Sequence, residues 1–269
     1  MADRQRGSPV DQTARFQDWR WENNLVNVAA MCCRYVLQVE TLQALAERLA
    51  LSGPIVWRTR YNLAPGEAVP VVRMSPGGEG REIAFLRWGL VPAWTRAGGR
   101  EEARANARAE TLAERPAFRS AFRHRRCLVP ASGYYEWRSQ GGRKQPWLFR
   151  LRDGAPLVFA GLWENSPDRA GGGLETCTVI TTAPNQLAQT IHNRMPAILA
   201  PDDANRWLDP RLTDPSDLAP LLRPFAADAM TAIAVSERVN NVRHDDAGCL
   251  EPVNAPDAGD GTDQMSLNL

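Results

Sequence analysis

The sequence predicts one α+β domain in which many short, mainly antiparallel strands form a barrel-like core with a few peripheral helices. Three observations carry this expectation. Short runs rich in Val, Ile, Leu, Tyr, Phe and Trp recur between about residues 33 and 235, separated by Gly, Pro and Asn turn signals. Helical apolar spacing is confined to short stretches. At 269 residues, 43% hydrophobic and 23% charged, the chain has material for one sizeable core or two small ones.

Taken in order, residues 1–30 are polar and lack a pattern that could build a core, although Trp19 and Trp21 are unusual for a flexible arm. They are expected to lie outside the working protein, because translation begins at Met31 or because the extension is removed; an ordinary N-terminal arm is the alternative. Residues 33–38 alternate as a strand. Thr41–Leu51 reads as an amphipathic helix with Leu42, Leu45, Leu49 and Leu51 near one face and Thr41 as a candidate cap. Arg60–Gly66 is extended and ends in a turn. Val69–Met74 and Ile83–Trp88 form a hairpin around Pro76-Gly77-Gly78, and a loop with two indoles, Trp88 and Trp94, follows. Phe118–Arg126 is the most basic part. Cys127–Trp137 reads as a strand, a turn and a second strand, and Gln140–Lys144 as a hairpin tip. Further strands are expected at Trp147–Leu151, Leu157–Trp163, Cys177–Thr182 and Thr231–Val235, with a short helix before Ile191 and another at Asp202–Leu208. Residues 253–269 are small, acidic and aperiodic, a flexible tail behind a domain spanning 31–252.

Composition excludes several classes. No apolar run reaches 18 residues and the N-terminus has no apolar signal core, so the expectation is a cytoplasmic protein without a membrane span. Cys32, Cys33, Cys127, Cys177 and Cys249 are scattered without a CxxC pair, which argues against a disulfide framework and a zinc site. There is no P-loop, dinucleotide fingerprint or internal repeat, and no metal or cofactor is expected. The charge is divided unevenly: residues 31–150 hold 20 Lys and Arg against 10 acids, and residues 151–269 hold 8 against 17. A polyanion suits the basic half, since clustered Arg neutralises phosphates and releases counterions; pairing between the two halves is the alternative. The single lysine, Lys144, sits in the hairpin tip.

Four features carry chemistry. If the chain begins at Cys32, its α-amine and thiol form a 1,2-aminothiol, which condenses with an aldehyde at nitrogen and closes through sulfur to a thiazolidine. Otherwise Cys32 and Cys33 are small buried residues at the start of a strand. Glu136, flanked by Tyr134, Tyr135 and Trp137, is a candidate acid or base whose desolvation raises its pKa, against a surface pair with Arg138. His192, before a Pro-limited turn and beside Arg194, is a candidate proton donor or a structural hydrogen bonder. Trp88 and Trp94 either stack on bases or belong to the core.

Six stretches together carry a resemblance: Met31-Cys32-Cys33-Arg34-Tyr35, Tyr61-Asn62-Leu63-Ala64-Pro65, Trp88-Gly89-Leu90-Val91-Pro92, Asn106-Ala107-Arg108-Ala109-Glu110, Ser132-Gly133-Tyr134-Tyr135-Glu136-Trp137 and His192-Asn193-Arg194-Met195-Pro196. In that order they resemble the SRAP (SOS response-associated peptidase) family of abasic-site processing proteins over about residues 31–253. The resemblance implies an SRAP-like fold and capture of the ring-opened aldehyde of an abasic site in single-stranded DNA by Cys32 as a thiazolidine crosslink. It further implies autoproteolytic release of that cysteine and Schiff-base lyase activity, in the setting of DNA repair and the SOS response at the nucleoid. By matching motif, Cys32, Asn106, Glu136 and His192 would be catalytic. Arg108 and Arg194 would grip flanking phosphates; Trp88 and Trp94 join them as DNA-binding candidates on the stacking reading alone.

Two departures stand out. Cys33 replaces the family's Gly after the reactive cysteine, and the extension leaves Cys32 with an amide nitrogen. Competing expectations are a cysteine hydrolase built on Cys32, His192 and Glu136, and a non-catalytic module that binds single-stranded DNA. The protein is expected to be monomeric. Gln264-Met265-Ser266-Leu267-Asn268-Leu269 resembles the peptide by which bacterial repair proteins dock on the sliding clamp, making that clamp a further expected partner.

Overall fold

The computed structural model describes residues 34–51, 55–77, 80–95, 103–140, 142–167 and 173–254. The N-terminal extension, Cys32, Cys33, most of the tail and the clamp-like peptide lie outside them. The strands in chain order are β1 (Tyr35–Leu37), β2 (Arg60–Leu63), β3 (Ala68–Met74), β4 (Arg81–Trp88), β5 (Asn106–Arg108), β6 (Arg126–Ala131), β7 (Gly133–Gln140), β8 (Arg143–Leu151), β9 (Leu157–Pro167), β10 (Gly173–Thr182), β11 (Met195–Pro196) and β12 (Met230–Ala234). The helices are α1 (Val39–Arg48), α2 (Pro116–His124), α3 (Pro201–Leu208) and the short α4 (Pro215–Leu218).

Five strands close on themselves. β10 pairs with β4, β4 with β3, β3 with β6, β6 with β9, and β9 with β10 again. Every pairing in this barrel is antiparallel except β4 with β10, which join in parallel at Thr176↔Arg87 and Cys177↔Trp88. The expected β3–β4 hairpin forms, with Val69 opposite Leu86 and Val71 opposite Ala84, all buried. A second sheet, in the order β12-β8-β7-β1-β2, packs one face on the barrel. Tyr35, Leu37, Leu63, Tyr134 and Phe149 from that sheet share a core with Val71, Val129 and Phe159 from the barrel.

β6 is buried at every position because both of its faces are covered, so it reads as a continuous apolar run rather than an alternating one. Cys127, Val129 and Ala131 point into the shared core, while Leu128 packs beneath helices with Phe118, Phe122 and Trp207. The outer face of the second sheet is sealed by the C-terminal segment, where Val235, Val239 and Cys249 cover Val36, Tyr135 and Leu148. No helix among the described residues is long and apolar enough to cross a membrane.

One local expectation is corrected. α1 begins at Val39, not Thr41, and Gln38 precedes it without a side-chain cap. The Thr41 hydroxyl instead lies 2.6 Å from that of Ser132, and Ser132 Oγ accepts the Gln38 amide at 2.8 Å. The amide of the first helical residue, Val39, is accepted at 3.2 Å by Thr59 Oγ1 from outside the helix, which local sequence does not reveal.

Gly161 sits in the barrel wall, where an added Cβ would lie 2.9 Å from Cys127 Sγ, 3.0 Å from Val129 Cγ2 and 3.1 Å from the Thr178 carbonyl oxygen. A backbone atom among these neighbours leaves no cheap relaxation. Gly161→Ala is expected to destabilise the fold by about 1–3 kcal/mol. The check is a lower urea midpoint at unchanged m-value; a midpoint equal to wild type would show that the wall yields.

Candidate functional site

The C-terminal half of β10 organises the site. On one edge it receives β5 in parallel, with Asn106 opposite Val179 and Arg108 opposite Thr181. On the other it receives β11, with Thr181 opposite Pro196 and Thr182 opposite Met195. Asn106, Arg108 and the segment leading into Met195 are therefore gathered at one end of the barrel, although they are far apart in sequence.

His192 is held by the turn that precedes β11. Asn185 Oδ1 accepts the Ala188 amide at 2.8 Å and starts a 3₁₀ turn, whose Ala188 carbonyl accepts the His192 amide at 2.8 Å. The ring then folds back on its own loop, with Nδ1 3.2 Å from the Arg194 amide nitrogen. Nδ1 also lies 3.4 Å from the Arg194 carbonyl oxygen, so the ring accepts from the amide in one tautomer and donates to the carbonyl in the other.

Glu136 approaches from β7. Its residue is 3% exposed, and one carboxylate oxygen lies 4.0 Å from His192 Nδ1, within electrostatic contact and beyond hydrogen-bond range. Trp147 stands directly opposite on β8, and Tyr134, two residues away on the same strand face, stacks on Phe149 at 4.8 Å. The carboxylate thus lies among aromatics and is buried rather than set at the surface. β7 also receives the start of the described chain: the Tyr135 amide donates to the Arg34 carbonyl at 3.0 Å. Arg34 is anchored in turn to Asn62 Oδ1 at 2.9 Å and the Val239 carbonyl at 2.8 Å.

Arg194 is clamped. Its guanidinium donates to both oxygens of Glu110 at 2.6 and 2.9 Å, and to the Thr181 carbonyl at 2.6 Å. The hydrogen bonds from Arg194 hold the Glu110 carboxyl below its ordinary range.

A cleft of about 530 Å³ opens beside Asn106 and Arg108, lined also by Trp94, Arg104, Arg115 and Phe118. Trp94 is 53% exposed and lines this cleft. Trp88 does not share that role. It is 1% exposed, donates its indole N–H to the Ala105 carbonyl at 2.8 Å and packs 5.2 Å from the Tyr35 ring. As the last residue of β4 it points into the core, which removes it from any base-stacking surface.

Arg104 and Arg115 are additions that the motifs did not single out. A signal for Arg104 exists: Arg104-Ala105-Asn106-Ala107-Arg108 alternates polar and small apolar residues, and Ala105 and Ala107 are buried while the three polar residues face the other way. Arg115 has no such signal, because only the packing of α2 brings it to the cleft. Among the described residues no group of three or more His, Cys, Asp or Glu could hold a metal ion. The three described thiols, Cys127, Cys177 and Cys249, are buried, and burial raises the pKa of each, so they are poor nucleophiles.

Comparison with known proteins matches residues 31–242 to the family described as SOS response associated peptidase (SRAP). The abasic site processing protein YoaM of Bacillus subtilis is 39% identical over 199 residues, covering 74% of this chain and 87% of that protein. The abasic site processing protein HMCES of Gallus gallus is 31% identical, with 73% of this chain and 67% of that one covered. A crystal structure of a protein from Bacteroides thetaiotaomicron superposes with a TM-score of 0.74 at 28% identity, covering 83% of this chain and all of that one.

Proposed function

Because the chain belongs to the SOS response associated peptidase family, we propose that it processes abasic sites in single-stranded DNA, capturing the ring-opened aldehyde through Cys32 as a thiazolidine crosslink. The observation that carries this reading is the buried Glu136 beside His192, on the strand that receives the start of β1. Cys32 lies two residues before Arg34, so an extended chain keeps their Cα atoms within about 7 Å. Arg34 hydrogen-bonds Tyr135, the immediate neighbour of Glu136.

The chemistry needs an amine, a thiol and a proton relay. The Cys32 amine adds to the aldehyde carbon and water leaves, giving an imine; the thiol then adds to the imine carbon while its proton passes to nitrogen, closing the ring. Glu136 takes and returns these protons from a site where bulk water is excluded. His192 protonates the sugar-ring oxygen to favour the open aldehyde, or assists reversal. Asn106 fixes the opened sugar or the terminal residue by hydrogen bonds, and the imine stage is also the branch point for Schiff-base lyase chemistry. Arg108 and Arg194 hold flanking phosphates, while Arg104, Arg115 and Trp94 extend the strand's path along the cleft.

Residues 1–31 must be absent from the active species, by internal initiation or by autoproteolysis, and the family match begins at Met31. The decisive assay compares two single strands, one with a natural abasic site and one with a tetrahydrofuran analogue that has no aldehyde. A heat-stable shifted band on a denaturing gel is expected with the first strand alone. Equal bands with both strands, or none with either, would remove aldehyde capture as the function.

A further inference from the structure

We propose that Glu110 gates the phosphate subsite of Arg194: its carboxylate occupies the guanidinium fork in the DNA-free protein and is displaced when a strand delivers a phosphate to that position. The inference rests on reading Arg194 as a phosphate-gripping residue.

The geometry supports exchange rather than a permanent brace. Carboxylate and phosphate match the same planar fork, so they compete for the same donors. Both oxygens of Glu110 are engaged, at 2.6 and 2.9 Å. The guanidinium itself is fixed from behind, because Nη2 also donates to the Thr181 carbonyl at 2.6 Å on the rigid β10. The Arg194 side chain is only 14% exposed, whereas that of Glu110 is 52% exposed. Glu110 stands on the 3₁₀ turn Ala109–Thr111 just after β5, where its side chain can swing into solvent without disturbing a strand. The partner free to leave is therefore the carboxylate.

Departure of Glu110 has two further effects. Arg108, exposed nearby and acting by its charge on the Glu110 carboxyl, is relieved of that opposite charge at the same moment. Arg194 also donates its own amide to His192 Nδ1, so the residue that receives the phosphate touches the proton donor. In the empty protein, Glu110 lowers the attraction of this end of the site for anions in general. A flexible phosphate arriving alone must displace a tethered carboxylate; a strand already seated on Arg108 and the cleft does so with the help of its other contacts.

Glu110→Gln is the informative variant, because its amide oxygen can still accept from Arg194 while the charge is removed. It is expected to bind intact single-stranded DNA about 3- to 10-fold more tightly at fixed moderate salt. In an Arg194→Ala background the same change is expected to bring little gain. Unchanged or weaker binding by Glu110→Gln would make Glu110 a brace for Arg194 and overturn the gate. An equal gain with and without Arg194 would reduce the effect to long-range repulsion and overturn it as well. A parallel titration with inorganic phosphate, followed through the Arg194 guanidinium NMR signal, must also show tighter binding in Glu110→Gln. That arm decides the gate even if the wild-type protein fails to bind single-stranded DNA, an outcome that would instead sink the functional reading of the cleft.

Discussion

Protein beginning at Cys32 is expected to form a covalent adduct with abasic single-stranded DNA, and the same chain carrying residues 1–31 is expected to form none. The difference is all-or-none because it is chemical, not conformational. In the extended chain the Cys32 nitrogen is an amide, its lone pair delocalised into the carbonyl, and it cannot add to an aldehyde. Without the imine, sulfur can give only a reversible hemithioacetal that does not survive denaturation. Intact mass is the most direct readout: the adduct should weigh the sum of protein and oligonucleotide less one water, the balance of imine formation followed by ring closure. Cys32→Ala keeps a free amine and should leave at most a transient imine. Cys33 sits one residue too far along to own an α-amine, so Cys33→Gly should retain capture. A stable adduct on the full-length chain, with no cleavage at Cys32 seen by mass, would mean that another nucleophile does the chemistry.

Much of this arrangement is legible in sequence, and the exceptions have physical causes. Turn residues between two apolar runs mark the β3–β4 hairpin, and the aromatic run Tyr134-Tyr135-Glu136-Trp137 predicts a carboxylate shielded from water, as Glu136 is. Which strands close the expected barrel is not legible: closure depends on a parallel contact of two residue pairs between strands about 90 residues apart, and such a contact leaves no local pattern. Nor does local sequence show that β6 and β7, separated only by Ser132, enter different sheets. Trp88 illustrates a different limit. An indole at the end of a strand beside a basic loop is compatible with both stacking and core packing, and only the position of Ala105 across from it decides. The Arg194–Glu110 pair is hidden for a similar reason, since 84 residues separate partners that β10 brings together.

Glu136→Gln is expected to slow adduct formation by about 10²- to 10⁴-fold, the range for loss of a positioned acid or base, while leaving affinity for intact single-stranded DNA unchanged. Two proton transfers explain the size: one accompanies loss of water from the carbinolamine, and the other moves the thiol proton to nitrogen as the ring closes. Water cannot readily substitute, because Trp147 and the Tyr134–Phe149 stack wall the carboxylate and only 3% of the residue is exposed. The substitution preserves shape and removes a buried charge, so a loss of fold should not mimic a loss of chemistry; the urea midpoint should stay at or above that of the wild type. Single-turnover rates with DNA in excess, set beside binding to the intact strand, separate the two effects. A rate within about threefold of wild type would remove Glu136 from the proton path and pass that role to His192, whose ring lies 4.0 Å from the carboxylate. If rate and affinity fell together, Glu136 would be acting on strand binding instead, which a carboxylate facing a phosphate backbone has no electrostatic reason to favour.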